Sequence, residues 1–259
     1  MPATPLRLAI LEADTPVPRA HARYDGYRGV FAHLFARAVH PAPLPDVVAL
    51  TGHHVVYHGD DSASAAEHEY PSLDEVDGIL ISGSKHDAFA DDPWIVRLVE
   101  YVRRALTEYE GRVRVVGVCF GHQIVARALG VPVGRSDRGW EVSVVETDLT
   151  EKGREVFEGR ESLKIQQMHR DQAFGVPAGA ELLASTEKCP NQGFIIPGRV
   201  ITVQGHPEFT EDIMREILDM RHESGILTDE VYRSGVERNG DHHDGVFMAQ
   251  VFLKFLQGQ

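Results

Sequence analysis

Two cysteines in 259 residues cannot build a disulfide framework. No apolar run approaches the roughly 18 residues that a membrane-crossing helix needs, so no membrane partner is expected. Basic side chains are scarce. Twenty-six Lys and Arg face 39 Asp and Glu for a formal charge of −13, a balance that argues against a phosphate-backbone binder, and nucleic acid is not an expected partner. Met1-Pro2-Ala3-Thr4-Pro5 lacks the basic-then-apolar order of a signal peptide. The expected location is therefore cytoplasmic, a reducing compartment where a cysteine is reactive or simply buried rather than bridged. Internal repeats and low-complexity stretches are absent. What is present, 42% hydrophobic and 25% charged residues, is the composition of a globular chain and excludes fibrous and disordered classes.

Short apolar runs alternate with helix-period segments, which predicts an α/β fold with a mostly parallel central sheet and helices on both faces. Leu6 to Leu11 reads as a strand, and Tyr27, Val30, Phe31, Leu34, Phe35 and Ala38 share one helix face. Between Val47 and Tyr57 the apolar pattern is broken by Thr51-Gly52, and a strand is expected only near Val55-Val56. Ser62 to Glu69 reads as a loop. Asp77 to Ile81 is a buried strand ending at Ser82-Gly83-Ser84; Trp94, Ile95, Leu98, Val102, Ala105 and Leu106 mark a helix. Val113 to Val118 is another apolar strand, followed by a helix over Ile124 to Leu129 that Gly130 stops. Beyond Gly139 closely spaced strands near 140–147, 163–168, 180–185, 193–196 and 200–204 predict an antiparallel extension, with helices at 211–222 and 246–257. No linker separates these segments, so 1–259 is expected to be one domain.

Gly117-Val118-Cys119-Phe120-Gly121 lies between an apolar strand and a helix. A nucleophile raised on a tight strand-to-helix turn needs glycines on both sides, because larger side chains would clash there. The free N–H groups and positive end of the following helix stabilise a thiolate, and the Phe120 N–H becomes one donor of an oxyanion hole. The alternative is a small core hydrophobe, the commonest use of a free cysteine. A cysteine nucleophile also needs a base and a group to orient it. Gln204-Gly205-His206-Pro207-Glu208 offers both just past a strand, with a carboxylate two residues after the imidazole. The chain has 14 histidines, most of them expected on the surface, and His53-His54 and His242-His243 read as polar turns rather than metal ligands. No metal or cofactor is expected.

Cys119-Phe120-Gly121-His122-Gln123 together with Gln204-Gly205-His206-Pro207-Glu208 resembles the class I glutamine amidotransferase domain, the triad-type family that includes gamma-glutamyl hydrolases. The similarity is greatest to stand-alone members related to the glutaminase domain of GMP synthase. It implies a flavodoxin-like sheet and a Cys119 nucleophile, with His206 as base then acid and Glu208 as its orienter. It implies oxyanion donors at Phe120 and Gly83, the latter in Ile81-Ser82-Gly83-Ser84. It further implies substrate contacts from Gln123 and from His169, Arg170 and Asp171 in Met168-His169-Arg170-Asp171. Gly139-Trp140-Glu141 departs from the tyrosine-containing stretch of GMP-synthase-type domains, and Trp140 is either a pocket wall or a residue packed on the core, packing being favoured.

The chemistry so implied is thiolate attack on a gamma-glutamyl carbonyl, with glutamine or a gamma-glutamyl peptide as the small-molecule substrate. No Gly-x-x-x-x-Gly-Lys-Ser/Thr stretch marks an ATP-dependent synthetase in the chain, so a synthetase partner would have to be a separate protein. The competing class is a binding or redox-sensing protein, with Cys189 as a resolving thiol for Cys119.

Overall fold

Alternation along the first strand decides the layering. In Leu6–Glu12 (β1), Leu8 and Ile10 enter one hydrophobic cluster while Ala9 and Leu11 enter another on the opposite face of the sheet. A strand buried on both faces belongs to a parallel sheet covered by helices. The computed structural model describes residues 4–57 and 70–259. Within them the remaining strands are β2 (Val48–His54), β3 (Gly78–Ile81), β4 (Arg114–Val118), β5 (Val133–Arg135), β6 (Glu141–Leu149), β7 (Ser162–His169), β8 (Asp171–Ala173), β9 (Glu181–Ser185), β10 (Gly193–Ile196) and β11 (Val200–Val203). The helices are α1 (Pro18–Tyr24), α2 (Tyr27–Val39), α3 (Leu44–Val47), α4 (Pro93–Thr107), α5 (Phe120–Ala128), α6 (Glu151–Val156), α7 (Glu211–Glu223), α8 (Asp229–Arg238) and α9 (Gly245–Gln257).

The main sheet runs β2-β1-β3-β4-β11-β10-β9-β6-β7. Pairing is parallel from β2 through β4 to β11 and antiparallel from β11 to β7, so the expected mixed architecture is what forms. Helices α2, α7 and α9 bury their apolar residues in one cluster, α4 and α5 in the other. The six residues read as one face of α2 are the six that it buries. Each large side chain so buried contributes about 1.5–3 kcal/mol relative to exposure. β5 and β8 form a separate two-stranded ribbon.

Several expectations need correction. The second strand is Val48–His54, not a short run at Val55-Val56. It is the sheet edge, paired to β1 from Leu6↔Val48 to Glu12↔His54, and its exposed side removes the apolar alternation that would reveal it. Gly52, which looked like a break, sits where a Cβ would come within 2.5 Å of a Glu12 carboxylate oxygen. The helix after Cys119 begins at Phe120, four residues before the apolar pattern does. The short elements α1, α3, α6, α8, β5 and β8 were not foreseen; α8, for instance, buries only Gly235. The Ser62 to Glu69 loop lies outside the described residues.

Helix α1 has no side-chain cap of its own. Buried Glu216 on α7 supplies one across the chain, accepting from the amides of Arg19 at 2.8 Å and Ala20 at 3.3 Å. Glu216→Ala would leave those donors unmatched and is expected to cost about 1–3 kcal/mol. A lower urea midpoint at unchanged slope checks it.

Candidate active site

The carboxyl ends of β1, β3, β4 and β11 converge, and Asp14, Gly83, Cys119 and His206 follow them in turn, the position where open α/β sheets bind ligands. Cys119 follows β4 directly and holds φ 51°, ψ −104°, a backbone shape that L residues seldom adopt and that tertiary packing must enforce. The glycines around it explain how. A Cβ on Gly117 would come within 2.7 Å of the Gly121 carbonyl oxygen across the turn. A Cβ on Gly121 would come within 2.3 Å of the Ile81 carbonyl oxygen, so α5 and β3 could not pack so closely. The first contact is the clash anticipated from sequence; the second is between helix and strand rather than across the turn. His122, next on α5, is fully buried against Thr202 at 2.9 Å, and burial drives its imidazole down to about 3, a neutral structural group.

His206 follows β11, where Gln166 of β7 fixes its backbone through a 2.7 Å bond from the His206 amide. Its Nδ1 lies 2.8 Å from Glu208 Oε1, and the ring stacks on Phe209 with centroids 3.9 Å apart and planes 5° from parallel. A Cβ on Gly83 would come within 2.5 Å of the imidazole Cε1, so glycine is required for the ring to stand where it does. Burial alone would push the imidazole down. The charges and hydrogen bonds of Cys119 and Glu208 outweigh that and raise it to about 10, so it carries a proton at neutral pH. The Glu208 side chain is wholly buried, and its Oε2 has no hydrogen-bond partner among the described residues. An unmatched buried carboxylate oxygen is costly in a purely structural role.

At the end of β3, the Ser82 hydroxyl accepts from the Ala13 amide at 2.9 Å and donates to the Gly83 carbonyl at 3.0 Å, which fixes the Gly83 peptide. Neither the Gly83 nor the Phe120 amide enters a backbone hydrogen bond among the described residues.

Two chambers open on this constellation. The inner one, about 250 Å³, is lined by Cys119, Phe120, Gln123, Trp140, Arg170 and Asp171 among others. The outer one, about 590 Å³, lies on the His206 side, between the Thr15–Pro18 segment and α7, with Phe209, Ile217 and Met220 in its walls. The sequence-predicted residues thus meet, but not all in the expected posture. Gln123 lines the inner chamber while its amide nitrogen donates to the Asp171 carbonyl at 2.9 Å and to Gln204 at 3.0 Å. His169 is also at the wall, but its Nδ1 faces the Asp171 carbonyl oxygen at 3.2 Å and its Nε2 faces Glu141 at 2.9 Å. Both side chains therefore brace the Asp171 segment. Asp171 pairs with Arg135 at 3.0 Å rather than with its neighbour Arg170. The Arg170 guanidinium instead lies 5.5 Å from the Trp140 ring centroid, its Nε without a hydrogen-bond partner among the described residues. Trp140 is a wall of the inner chamber as well as a half-buried residue against the core, so packing is only half of its role.

Glu141, His169 and Cys189 place one ligand atom each within 4.8 Å of one another, and the paired histidines are not part of this group. Among the described residues, these three are the ones that can offer metal ligands together. Their groups already bond within the protein: Glu141 accepts from Thr186 and Gln192, and Cys189 donates to the Asn191 carbonyl. Burial would raise the Glu141 carboxyl, but its bonds with His169, Thr186 and Gln192 hold it below the ordinary value. Burial pushes the Cys189 thiol up to about 12, which ill suits a resolving thiol.

Sequence reasoning missed Asp14, Lys85, Arg135 and Arg221. Asp14 accepts from the Lys85 amide and pairs with its ammonium at 2.8 Å, which anchors the loop after Gly83. No local pattern distinguishes such residues, because each reaches the site only through the fold.

This sheet carries the glutamine amidotransferase fold. The structure superposes on a glutamine amidotransferase of Thermotoga maritima with a TM-score of 0.72, covering 98% of this chain and 99% of that one at 17% identity. The glutamine amidotransferase class-I profile matches residues 47–220, and the chain belongs to that family. A glutamine amidotransferase-like protein of Schizosaccharomyces pombe is 36% identical over 96% of this chain and 98% of its own length. Gamma-glutamyl peptidase 2 of Arabidopsis thaliana is 32% identical over 87% of this chain and 85% of its own.

Proposed function

We propose that the protein hydrolyses gamma-glutamyl amides through a glutamyl thioester on Cys119, acting alone, and prefers a gamma-glutamyl peptide to glutamine. The observation that carries the chemistry is the buried set in which Cys119, held at φ 51°, meets an imidazole whose far nitrogen is fixed by Glu208. The thiolate attacks the gamma-carbonyl carbon, and the amides of Gly83 and Phe120 receive the oxyanion. His206 gives its proton to the departing amine and the C–N bond breaks, leaving the thioester. His206 then takes a proton from water, which attacks the thioester carbonyl; glutamate leaves and the thiolate returns. Asp171 and Arg170 face the alpha-ammonium and alpha-carboxylate of the glutamyl group, while Gln123 and His169 hold that segment in place. The chemistry calls for no cofactor.

The second chamber supports the peptide preference. Ammonia, like water, needs only about 30 Å³, far less than the outer chamber's volume of about 590 Å³. Glutamate released from glutamine and from gamma-glutamyl-cysteinyl-glycine, measured on one preparation, tests the proposal. A higher kcat/KM for the peptide is expected. Preference for glutamine, or activity only when a second protein is added, would favour a glutaminase subunit that feeds a separate synthetase.

A further inference from the structure

Arg221, in the last turn of α7, is a cation that the steps above leave unused. It lines both chambers, and its guanidinium lies 5.0 Å from the Trp140 ring centroid. It makes no ion pair or hydrogen bond through its side chain among the described residues, and burial lowers its pKa. The charges and ionisable groups that act on it are Cys119, Tyr27, Asp14 and Asp171, none of them bonded to it. Arg221 is half-buried, and a guanidinium that faces a chamber with no carboxylate or carbonyl bonded to it is free to take a bound anion through charge-assisted hydrogen bonds.

The other cations divide cleanly. Lys85 is held by Asp14, and Arg135 is held by Asp87 and Asp171. Arg170 makes no ion pair among the described residues and lines the inner chamber, where the proposed function puts the glutamyl group's own carboxylate. Among the described residues Arg221 adds the one untied guanidinium to the outer chamber, beside apolar walls at Phe209, Ile217 and Met220 and the mutually paired Asp14 and Lys85. The outer chamber begins at His206, the proton donor to the departing amine, so the leaving group must occupy it.

We infer that Arg221 is a specificity-determining residue: it binds a carboxylate on the leaving amine, so that the protein selects gamma-glutamyl amino acids and peptides over gamma-glutamyl amines. This rests on the hydrolase function proposed above. Gamma-glutamyl-phenylalanine and gamma-glutamyl-phenethylamine share an aromatic ring suited to the apolar walls and differ only by the carboxylate. Wild-type protein is expected to favour the first by about tenfold or more in kcat/KM, the scale of one charge-assisted hydrogen-bonded pair. Arg221→Met should bring that ratio close to one. Arg221→Lys, which keeps the charge and stem but loses the planar fork, should give an intermediate ratio and keeps the comparison decisive if the methionine variant fails to fold. Equal slowing of both substrates, with the ratio unchanged in either folded variant, would overturn the inference and leave the hydrolase proposal standing. Turnover of neither substrate by wild-type protein that releases glutamate from gamma-glutamyl-cysteinyl-glycine would overturn the inference alone, and release from none of the three would overturn both.

Discussion

Cys119→Ala is expected to abolish glutamate release while the unfolding transition stays near that of the wild type. Loss of a triad nucleophile costs several orders of magnitude in rate. The fold should tolerate the change because Cys119 is 5% exposed and only one sulfur is removed, which leaves a small void. The strained backbone at φ 51° is imposed by the close packing around Gly117 and Gly121, and alanine demands nothing different of it. The substitution also has an electrostatic signature. Burial depresses the His206 imidazole, and the first of the effects opposing it is the charge of Cys119, so the imidazole should fall from its value of about 10. A histidine titration followed by NMR reads that fall independently of any substrate. A variant that kept most of its turnover would remove Cys119 from the chemistry.

Glu208→Gln should lower kcat/KM by about two to four orders of magnitude, less than the loss at Cys119, as seen for orienting carboxylates in hydrolase triads. The amide keeps a hydrogen bond to Nδ1 but removes the charge that helps hold the imidazole protonated. The sign of the pH effect follows from the raised imidazole. His206 titrates near 10 in the folded chain against 6.5 ordinarily, so its contribution to stability is full below about 6.5 and is lost as the pH rises through about 10. With the Glu208 charge gone, the alkaline limb of both stability and activity should move to lower pH. Wild-type turnover with an unmoved limb would reduce Glu208 to a turn residue.

The parts of the site that could be read in the sequence are those whose geometry is local. Gly117, Cys119 and Gly121 announce a strand-to-helix turn within five residues, and His206 and Glu208 stand two apart just past a strand. Buried strands such as β3 and β4 and one-sided helices such as α2 and α4 declare themselves because water is excluded from a continuous face. The edge strand β2 does not, since half of it faces solvent, and α8 buries too little to leave a period. The remaining misses are non-local. Glu216 caps a helix almost two hundred residues away in sequence, Asp14 anchors Lys85, and Arg221 sits on what reads as the polar side of an ordinary amphipathic helix. The postures of Gln123 and His169 were hidden for the same reason, because Gln204 and Glu141, which engage them, come from other strands or their ends.

The most direct test of the thioester mechanism is to catch the intermediate. Wild-type protein mixed with a gamma-glutamyl peptide, quenched in acid within a turnover and digested, should yield a Cys119-containing peptide heavier by one glutamyl group. The same treatment of Cys119→Ala should yield none. Glutamate accumulating in the wild-type reaction with no adduct at Cys119, or with the adduct on another residue, would contradict covalent catalysis by this cysteine.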